Sequence, residues 1–158
     1  MKKFLYFLIC ILIVSSCEKK EDEVVFSISL LNTNPTEIIE FQENIYVRLF
    51  YQHPEGFVGF SDPDYLSLEV KDSRLSNPDY YHIIPVTPPD NSLSVTGELL
   101  VEIDSPFLFG NGLVELLNFT IRIQDQNLNW SNAITTPNIT VNKPVSYTHL
   151  TLPTTPYV

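Results

Sequence analysis

Acidic side chains near the middle of the chain have the type and spacing to bind a metal ion. Glu55, Asp62 and Asp64 lie in one segment, and Asp125 could approach them from a later loop. Ca²⁺ binds about six to eight oxygens of carboxylates and carbonyls, so these residues form a candidate calcium site. The spacing matches no EF-hand loop, and Pro63 between two aspartates is typical of a turn. Solvated loop carboxylates are therefore the competing interpretation, and calcium is the one cofactor that stays open.

Aromatic side chains in two later segments form a second candidate site. Phe107 and Phe109 lie in a Pro-Phe-Leu-Phe-Gly segment, and Trp130 follows in a turn rich in asparagine. Exposed rings of this kind can bind a glycan or insert into a protein partner, so the three are candidate ligand-binding residues. The competing interpretation is that they cap the open ends of a hydrophobic core, because large apolar side chains of small domains are usually packed.

The motifs of common enzyme classes are absent from the sequence. It has no nucleophile elbow, no Gly-rich phosphate loop, and no His-x-x-x-His or Cys-x-x-Cys pair. His53 and His82 both lie next to turn residues. We therefore predict no catalytic residue and a non-enzymatic role.

The charge balance limits the partners of the chain. It carries 9 lysines and arginines against 19 aspartates and glutamates, a net charge of −10. Nucleic acids and anionic lipid surfaces repel such a chain, so we expect neither as a partner.

The first residues have the order of a signal peptide. Lys2 and Lys3 precede an apolar run from Phe4 to Val14, which is followed by two serines and Cys17. The run is shorter than the roughly 20 residues that a membrane-spanning helix needs. We therefore predict that residues 1–16 are a cleaved signal peptide.

Val14-Ser15-Ser16-Cys17 resembles the lipobox of bacterial lipoproteins. In that family the cysteine thiol is lipidated and the peptide is cut before it, so the resemblance implies that Cys17 anchors the chain to a membrane. Residues 17–23 would then be the lipidated cysteine and a charged linker. The acidic residues directly after Cys17, within residues 18–23, resemble the surface-export signal of Bacteroidetes lipoproteins. The resemblance implies that the chain is located at the outer membrane, with the cell surface favoured over the periplasmic face.

Residues 145–154 resemble the conceptual translation of a transposon-end sequencing adapter. We therefore predict that residues 144–158 are a non-native tail, and we assign no function to Tyr147 or His149. The competing interpretation is a genuine tail rich in threonine and proline. Residues 24–143 remain, enough for one domain. With Cys10 in the signal peptide and Cys17 lipidated, this domain has no cysteine and must fold without a disulfide.

Alternation of apolar and polar residues predicts β-strands along the whole of residues 24–143. The clearest runs contain Ile45-Val47-Leu49, Leu66-Leu68-Val70 and Leu117-Phe119-Ile121-Ile123. Turn sequences such as Asn34-Pro35 and Gly110-Asn111-Gly112 separate the runs. No segment has a convincing helical period. About seven short strands at this spacing predict an all-β, antiparallel sandwich of immunoglobulin-like type.

Residues 125–132, followed by Thr136-Pro137-Asn138-Ile139-Thr140-Val141, resemble the end of bacterial immunoglobulin-like domains. There an Asp-x-x-Gly-Asn-x-Ser sequence turns the last hairpin, and Leu128 stands at the position of the glycine. The layout, with Lys71-Asp72-Ser73-Arg74, resembles small Bacteroidetes surface lipoproteins of unknown function. The resemblance implies the fold more than a function.

Three hypotheses for the role follow. The leading one is a lipid-anchored envelope protein whose immunoglobulin-like domain serves in binding, adhesion or assembly, with an unknown protein or glycan partner. An alternative is a glycan-binding accessory lipoprotein of a polysaccharide-uptake system, with Trp130, Phe107 and Phe109 as its platform. The third is a structural module that calcium stabilises through Glu55, Asp62 and Asp64.

Overall fold

Strands make up the regular secondary structure of the described residues, which are 24–55, 58–85 and 94–145 of a computed structural model. These ranges contain ten strands and no helix, so the predicted all-β fold is confirmed. Consequently no helix that could cross a membrane occurs in them. The strands are β1 (Ser27–Asn34), β2 (Glu37–Ile39), β3 (Ile45–His53), β4 (Leu68–Asp72), β5 (Asp79–Tyr81), β6 (Val95–Ile103), β7 (Val114–Leu117), β8 (Phe119–Ile123), β9 (Ile134–Thr135) and β10 (Ile139–Asn142).

The first layer of the sandwich is an antiparallel sheet in the order β1-β3-β6. Strand β3 is central and pairs with β6 over its whole length, from Ile45 opposite Ile103 to His53 opposite Val95. Ile45, Val47 and Leu49 are fully buried, as their alternation predicts. The pairing of β1 with β3 shifts register between Leu30 and Asn32, and the side chain of Leu31 between them is exposed.

The second layer consists of two short sheets, β5-β4-β8-β9 and β2-β10-β7. Only Asn118 separates β7 from β8, and their partners β10 and β9 are also consecutive in the chain. Thr136 closes the break, because its hydroxyl accepts a hydrogen bond from the Phe119 N–H and its own N–H donates to the Phe119 carbonyl. Broken strands explain why ten strands are found where about seven were expected. The pair β2–β10 is parallel, and the other strand pairs of the described residues are antiparallel.

Both layers contribute to one hydrophobic core. Leu117, Phe119, Ile121 and Ile123 alternate along β7 and β8 and are all buried, as predicted. Strand β4 departs from simple alternation, because Glu69 is buried together with its apolar neighbours. Arg122 on β8 compensates for that burial by donating two hydrogen bonds to the Glu69 carboxylate, at 2.8 and 2.7 Å.

The sandwich has two ends, which β1 connects. The entry end is the one at which β1 begins, with Ser27 opposite Gln52. The far end is the one at which β1 finishes, with Asn34 opposite Tyr46. A strand rises about 3.3 Å per residue, so the ends of this eight-residue strand are separated by roughly 23 Å. Side chains at the two ends therefore cannot form one site.

Adjacent leucines of β7 test this arrangement with a matched pair of substitutions. Leu117 is buried and Leu116 is exposed. We expect Leu117→Ala to lower the free energy of unfolding by about 2–5 kcal/mol, because it leaves a cavity in the core. Leu116→Ala should change it by less than about 0.5 kcal/mol. Urea unfolding monitored by circular dichroism measures both, and equal losses would contradict the register of β7.

Candidate functional site

Three exposed phenylalanines form an aromatic cluster at the far end of the sandwich. The ring of Phe41 stacks on Phe107, with centroids 5.4 Å apart and an interplanar angle of 10°. Phe109 meets Phe107 edge to face, with centroids 5.2 Å apart. Phe41, Phe107 and Phe109 are 70%, 45% and 48% exposed. The sequence analysis predicted Phe107 and Phe109 as candidates and missed Phe41, the most exposed of the three.

The backbone of Phe41 is in the left-handed region, with φ 63°. Phe41 is the third residue of a turn that the Gln42 N–H closes by donating to the Ile39 carbonyl at 3.1 Å. Glycine is favoured where the third residue of a turn has a positive φ, and a residue with a Cβ pays about 1–2 kcal/mol there. Side chains held in such conformations concentrate at functional sites. The strained backbone and the exposed ring together make Phe41 a candidate functional residue.

Arg74 holds the segment of Phe107 and Phe109 in place. Its guanidinium carbon lies 4.0 Å from the centroid of the Phe109 ring, in cation–π geometry. One of its nitrogens donates to the carbonyl of Phe107 at 2.8 Å and to the carboxylate of Glu115 at 3.0 Å. The other nitrogens donate to the Asp72 carboxylate, at distances down to 2.7 Å. The Lys-Asp-Ser-Arg segment noted in the sequence therefore ends in the residue that positions the cluster.

Glu115 and Glu40 fix the loops around the cluster. The Glu115 carboxylate accepts hydrogen bonds from the N–H groups of Gly110 at 2.8 Å and Phe109 at 3.1 Å. These bonds, and then Arg74, lower the pKa of Glu115 below its ordinary value. Glu40, next to Phe41, accepts the Leu108 N–H at 3.1 Å. The turn of Phe41 and the segment of Phe107 are therefore tied together directly.

A pocket of about 380 Å³ opens beside the cluster, between the two layers of the sandwich. Phe107 and Phe109 line one wall, and Tyr81 of β5 lines another. Asp79, Asp104 and Ser105 supply polar groups to the same pocket. Its volume is within the range of about 300–1,000 Å³ that is typical of ligand pockets.

Trp130 is separated from this cluster. It pairs with Gln124, just beyond the end of β8, whereas Asp72 beside Arg74 pairs with Phe119 at the start of β8. The length of β8, roughly 17 Å, therefore lies between the two places. The guanidinium carbon of Arg122 also lies 4.5 Å from the centroid of the Trp130 ring and covers one of its faces. The structure thus brings together Phe107 and Phe109, but not Trp130.

The candidate calcium ligands are not assembled into a metal site. The Asp62 carboxylate accepts a hydrogen bond from the Asp64 N–H at 3.0 Å. Such a bond is typical of a turn, so it agrees with the interpretation of this segment as a turn. The Glu55 carboxylate instead accepts a long hydrogen bond from the Asn127 amide, at 3.5 Å. Within the residues that the structure describes, no group of three or more His, Cys, Asp or Glu could hold a metal ion.

Asp125, the fourth candidate calcium ligand, organises the loops of the entry end. Its carboxylate accepts hydrogen bonds from the Asn129 N–H at 2.7 Å, the Asn129 amide at 3.1 Å and His53 Nε2 at 3.2 Å. His53 Nδ1 accepts the Glu55 N–H at 3.1 Å, so the neutral ring carries its proton on Nε2. Val58 pairs with the backbone of Asp125. Asp125 therefore joins its own loop to the segment of His53 through its carboxylate and to Val58 through its backbone, a structural role that the sequence did not reveal.

The pKa of Asp125 predicts how this network responds to acid. Burial alone would raise that pKa, but the hydrogen bonds from Asn129 and His53 lower it below the ordinary value. The charged carboxylate therefore stabilises the fold above about pH 4, and its contribution is lost as the pH falls through the folded-state pKa. We expect Asp125→Asn to lower the free energy of unfolding by about 1–3 kcal/mol at pH 7. The difference from the parent chain should shrink toward about pH 3.

Urea unfolding at a series of pH values measures that difference. Asp62→Asn is the matched control, because the Asp62 carboxylate is exposed and accepts its hydrogen bond within one turn. It should change stability far less than Asp125→Asn at pH 7. A loss for Asp125→Asn that is equally large at pH 3 and pH 7 would contradict the charged role of this carboxylate.

The predicted signal peptide of residues 1–16, lipidation at Cys17 and the charged linker of residues 17–23 lie outside the described residues. The predicted non-native tail of residues 144–158 also lies outside them, except for its first two residues. Comparisons of the chain with protein families, with curated proteins and with solved structures found no match. A role for the protein is therefore inferred from its own residues and their geometry.

Proposed function

We propose that this chain is a non-enzymatic, lipid-anchored lipoprotein of the outer membrane whose immunoglobulin-like domain binds a partner through the aromatic cluster. The observation that carries the binding role is the strained and exposed Phe41, stacked on Phe107. The anchor rests on the lipobox-like sequence before Cys17. Each part has its own test.

The order of the strands supports the immunoglobulin-like assignment. In that fold the first, second, fourth and fifth strands form one sheet, and the third, sixth and seventh form the other. Strands β1, β3 and β6 correspond to the first, second and fifth of these, and β4, β8 and β9 correspond to the third, sixth and seventh. Strand β5 departs from the constant-type order, because it pairs with β4 and not with the β1-β3-β6 sheet. The Cys pair and the third-strand tryptophan of antibody domains are missing, so the assignment concerns topology alone.

The direction of the chain supports a role for the cluster in contact with an external partner. A chain anchored at Cys17 reaches the sandwich at the entry end, where β1 begins. Phe41, Phe107 and Phe109 lie at the far end, roughly 23 Å further along β1. A lipid anchor therefore presents the aromatic cluster away from the membrane. Exposed apolar surfaces on a small domain are typical of interaction sites.

Cys17→Ser tests the anchor. We expect the parent chain, expressed in a bacterial host and fed an alkyne-bearing fatty acid, to incorporate the label and to partition into the detergent phase. Cys17→Ser should remove both properties, because serine offers no thiol for the lipid. The matched control is Cys10→Ser, which changes the other cysteine of the chain and should leave the labelling intact. Labelling that survives Cys17→Ser would overturn the proposed anchor.

A photoreactive residue tests the binding role of the cluster. We expect benzoylphenylalanine in place of Phe107 to give a discrete product of higher mass when intact cells are irradiated. The same residue in place of Leu128 should give none, because Leu128 is exposed but lies in the turn at the entry end. Gel electrophoresis with detection of the chain distinguishes the two. Matching products at both positions, or no product at either, would overturn the proposal.

Phe41→Gly separates loss of binding from loss of folding in that experiment. Glycine adopts φ 63° without strain, so this variant should unfold at the same urea concentration as the parent chain or a higher one. It also removes the ring that stacks on Phe107. The cross-linked product should therefore weaken although the domain remains folded. An unchanged product would show that Phe41 does not belong to the binding surface.

A further inference from the structure

The pocket beside the aromatic cluster carries negative charge that the protein does not neutralise. Asp79 and Asp104 both line it, and neither carboxylate has a hydrogen bond or an ion pair with the residues that the structure describes. Arg74 also lines the pocket, but its nitrogens are engaged by Asp72, Glu115 and the Phe107 carbonyl. The pocket therefore attracts a cation from outside the domain.

The two free carboxylates act on the same part of the pocket. Burial raises the pKa of Tyr81 above its ordinary value, and the charges of Asp79 and Asp104 raise it further. The negative charges of both aspartates, which line the same pocket, therefore act on the Tyr81 hydroxyl. A cation placed beside Tyr81 would interact with both of them.

The aromatic walls suit a cation as well. Phe107 and Phe109 are exposed beside the carboxylates, and a ring face attracts a positive charge within about 6 Å. Arg74 already demonstrates the geometry, because its guanidinium lies 4.0 Å from the centroid of Phe109. A second guanidinium or ammonium would find the same combination of ring and carboxylate in the pocket.

Ser105 also lines the pocket, and its buried Oγ has no hydrogen-bond partner among the described residues. Because this oxygen is closed to solvent, a group in the pocket reaches it only if the Ser105 side chain rotates toward the pocket. A rotated hydroxyl would then accept a hydrogen bond from an N–H donor.

We infer that this pocket receives the side chain of an arginine or lysine from a basic segment of a protein partner. The inference deepens the proposed binding role and rests on it. The aromatic rings would pack along the aliphatic part of the side chain, and Asp79 and Asp104 would pair with its charged end. The Ser105 hydroxyl, once rotated toward the pocket, would accept one of its hydrogens. The net charge of −10 also favours a basic partner.

Two pentapeptides of nearly the same shape, of which only one carries a positively charged side chain, test the inference. The full chain, labelled with ¹⁵N, is titrated with Gly-Gly-Arg-Gly-Gly and with the same peptide in which neutral citrulline replaces arginine. We expect the arginine peptide to shift the amide signals of Asp79, Tyr81, Asp104 and Ser105, and the citrulline peptide to leave them in place. The shifts should weaken with added salt, because exposed charges are screened. Equal shifts from both peptides would overturn the inference.

Substitutions of the pocket carboxylates provide the second measurement. Asp79→Asn and Asp104→Asn remove charge with little change of shape, and each should weaken binding of the arginine peptide about tenfold. Glu98→Gln is the matched control, since Glu98 is an exposed carboxylate on β6 that pairs with Arg48. It should leave the affinity unchanged. Equal affinities for all three variants would overturn the role of the pocket carboxylates.

Maltotriose, added in place of the peptides, separates this inference from the proposed function. Shifts at the pocket residues with maltotriose and not with the arginine peptide would overturn the cation pocket and leave a binding role, toward a glycan. Loss of the cross-link at Phe107 would overturn the binding role itself. If neither the arginine peptide nor maltotriose shifts the amide signals of the pocket residues while the cross-link is intact, the cation pocket alone is overturned.

Discussion

The far end of the sandwich depends on the ion pairs and hydrogen bonds of the partly buried Arg74 guanidinium. Burial alone would lower the pKa of Arg74, but Asp72 and Glu115 raise it above its ordinary value, so it stays charged. The charge then holds β4, β7 and the Phe107 carbonyl together in one network. A buried ion pair of this kind adds little net stability, but removing one partner leaves an uncompensated charge. The network therefore contributes geometry more than energy, and it places the rings of the aromatic cluster.

The entry end follows the same principle with a different centre. A domain whose sequence offers no disulfide must close its loops by other means. Asp125 does so by binding Asn129 and His53, with its backbone paired to Val58. Each end is thus fixed by a carboxylate or guanidinium with several hydrogen bonds, while the shared hydrophobic core supplies the cohesion.

Alternation predicted the all-β sandwich and the buried residues of β3 and β8, because one face of each strand is buried against the other layer. It could not predict the break at Asn118, which depends on a hydroxyl of Thr136 from another strand. Phe107 and Phe109 were recognisable as exposed aromatics, but their distance from Trp130 depends on which end of β8 each loop meets. Phe41 carried no local signal, because its partner Phe107 is distant in sequence and its turn position is one where glycine is usual.

Among the described residues, two with a Cβ adopt left-handed backbone conformations, Phe41 with φ 63° and Leu128 with φ 67°. Leu128 closes the turn that begins at Asp125, and its strain is confined to a loop that Asp125 already holds. Phe41 differs, because its strain supports a ring that is 70% exposed and stacked on another exposed ring. Neither the core nor the hydrogen bonds of its turn require that ring, and glycine would relieve the strain. The combination of a strained backbone and an exposed, stacked ring is therefore the observation on which the proposed binding role of the far end rests.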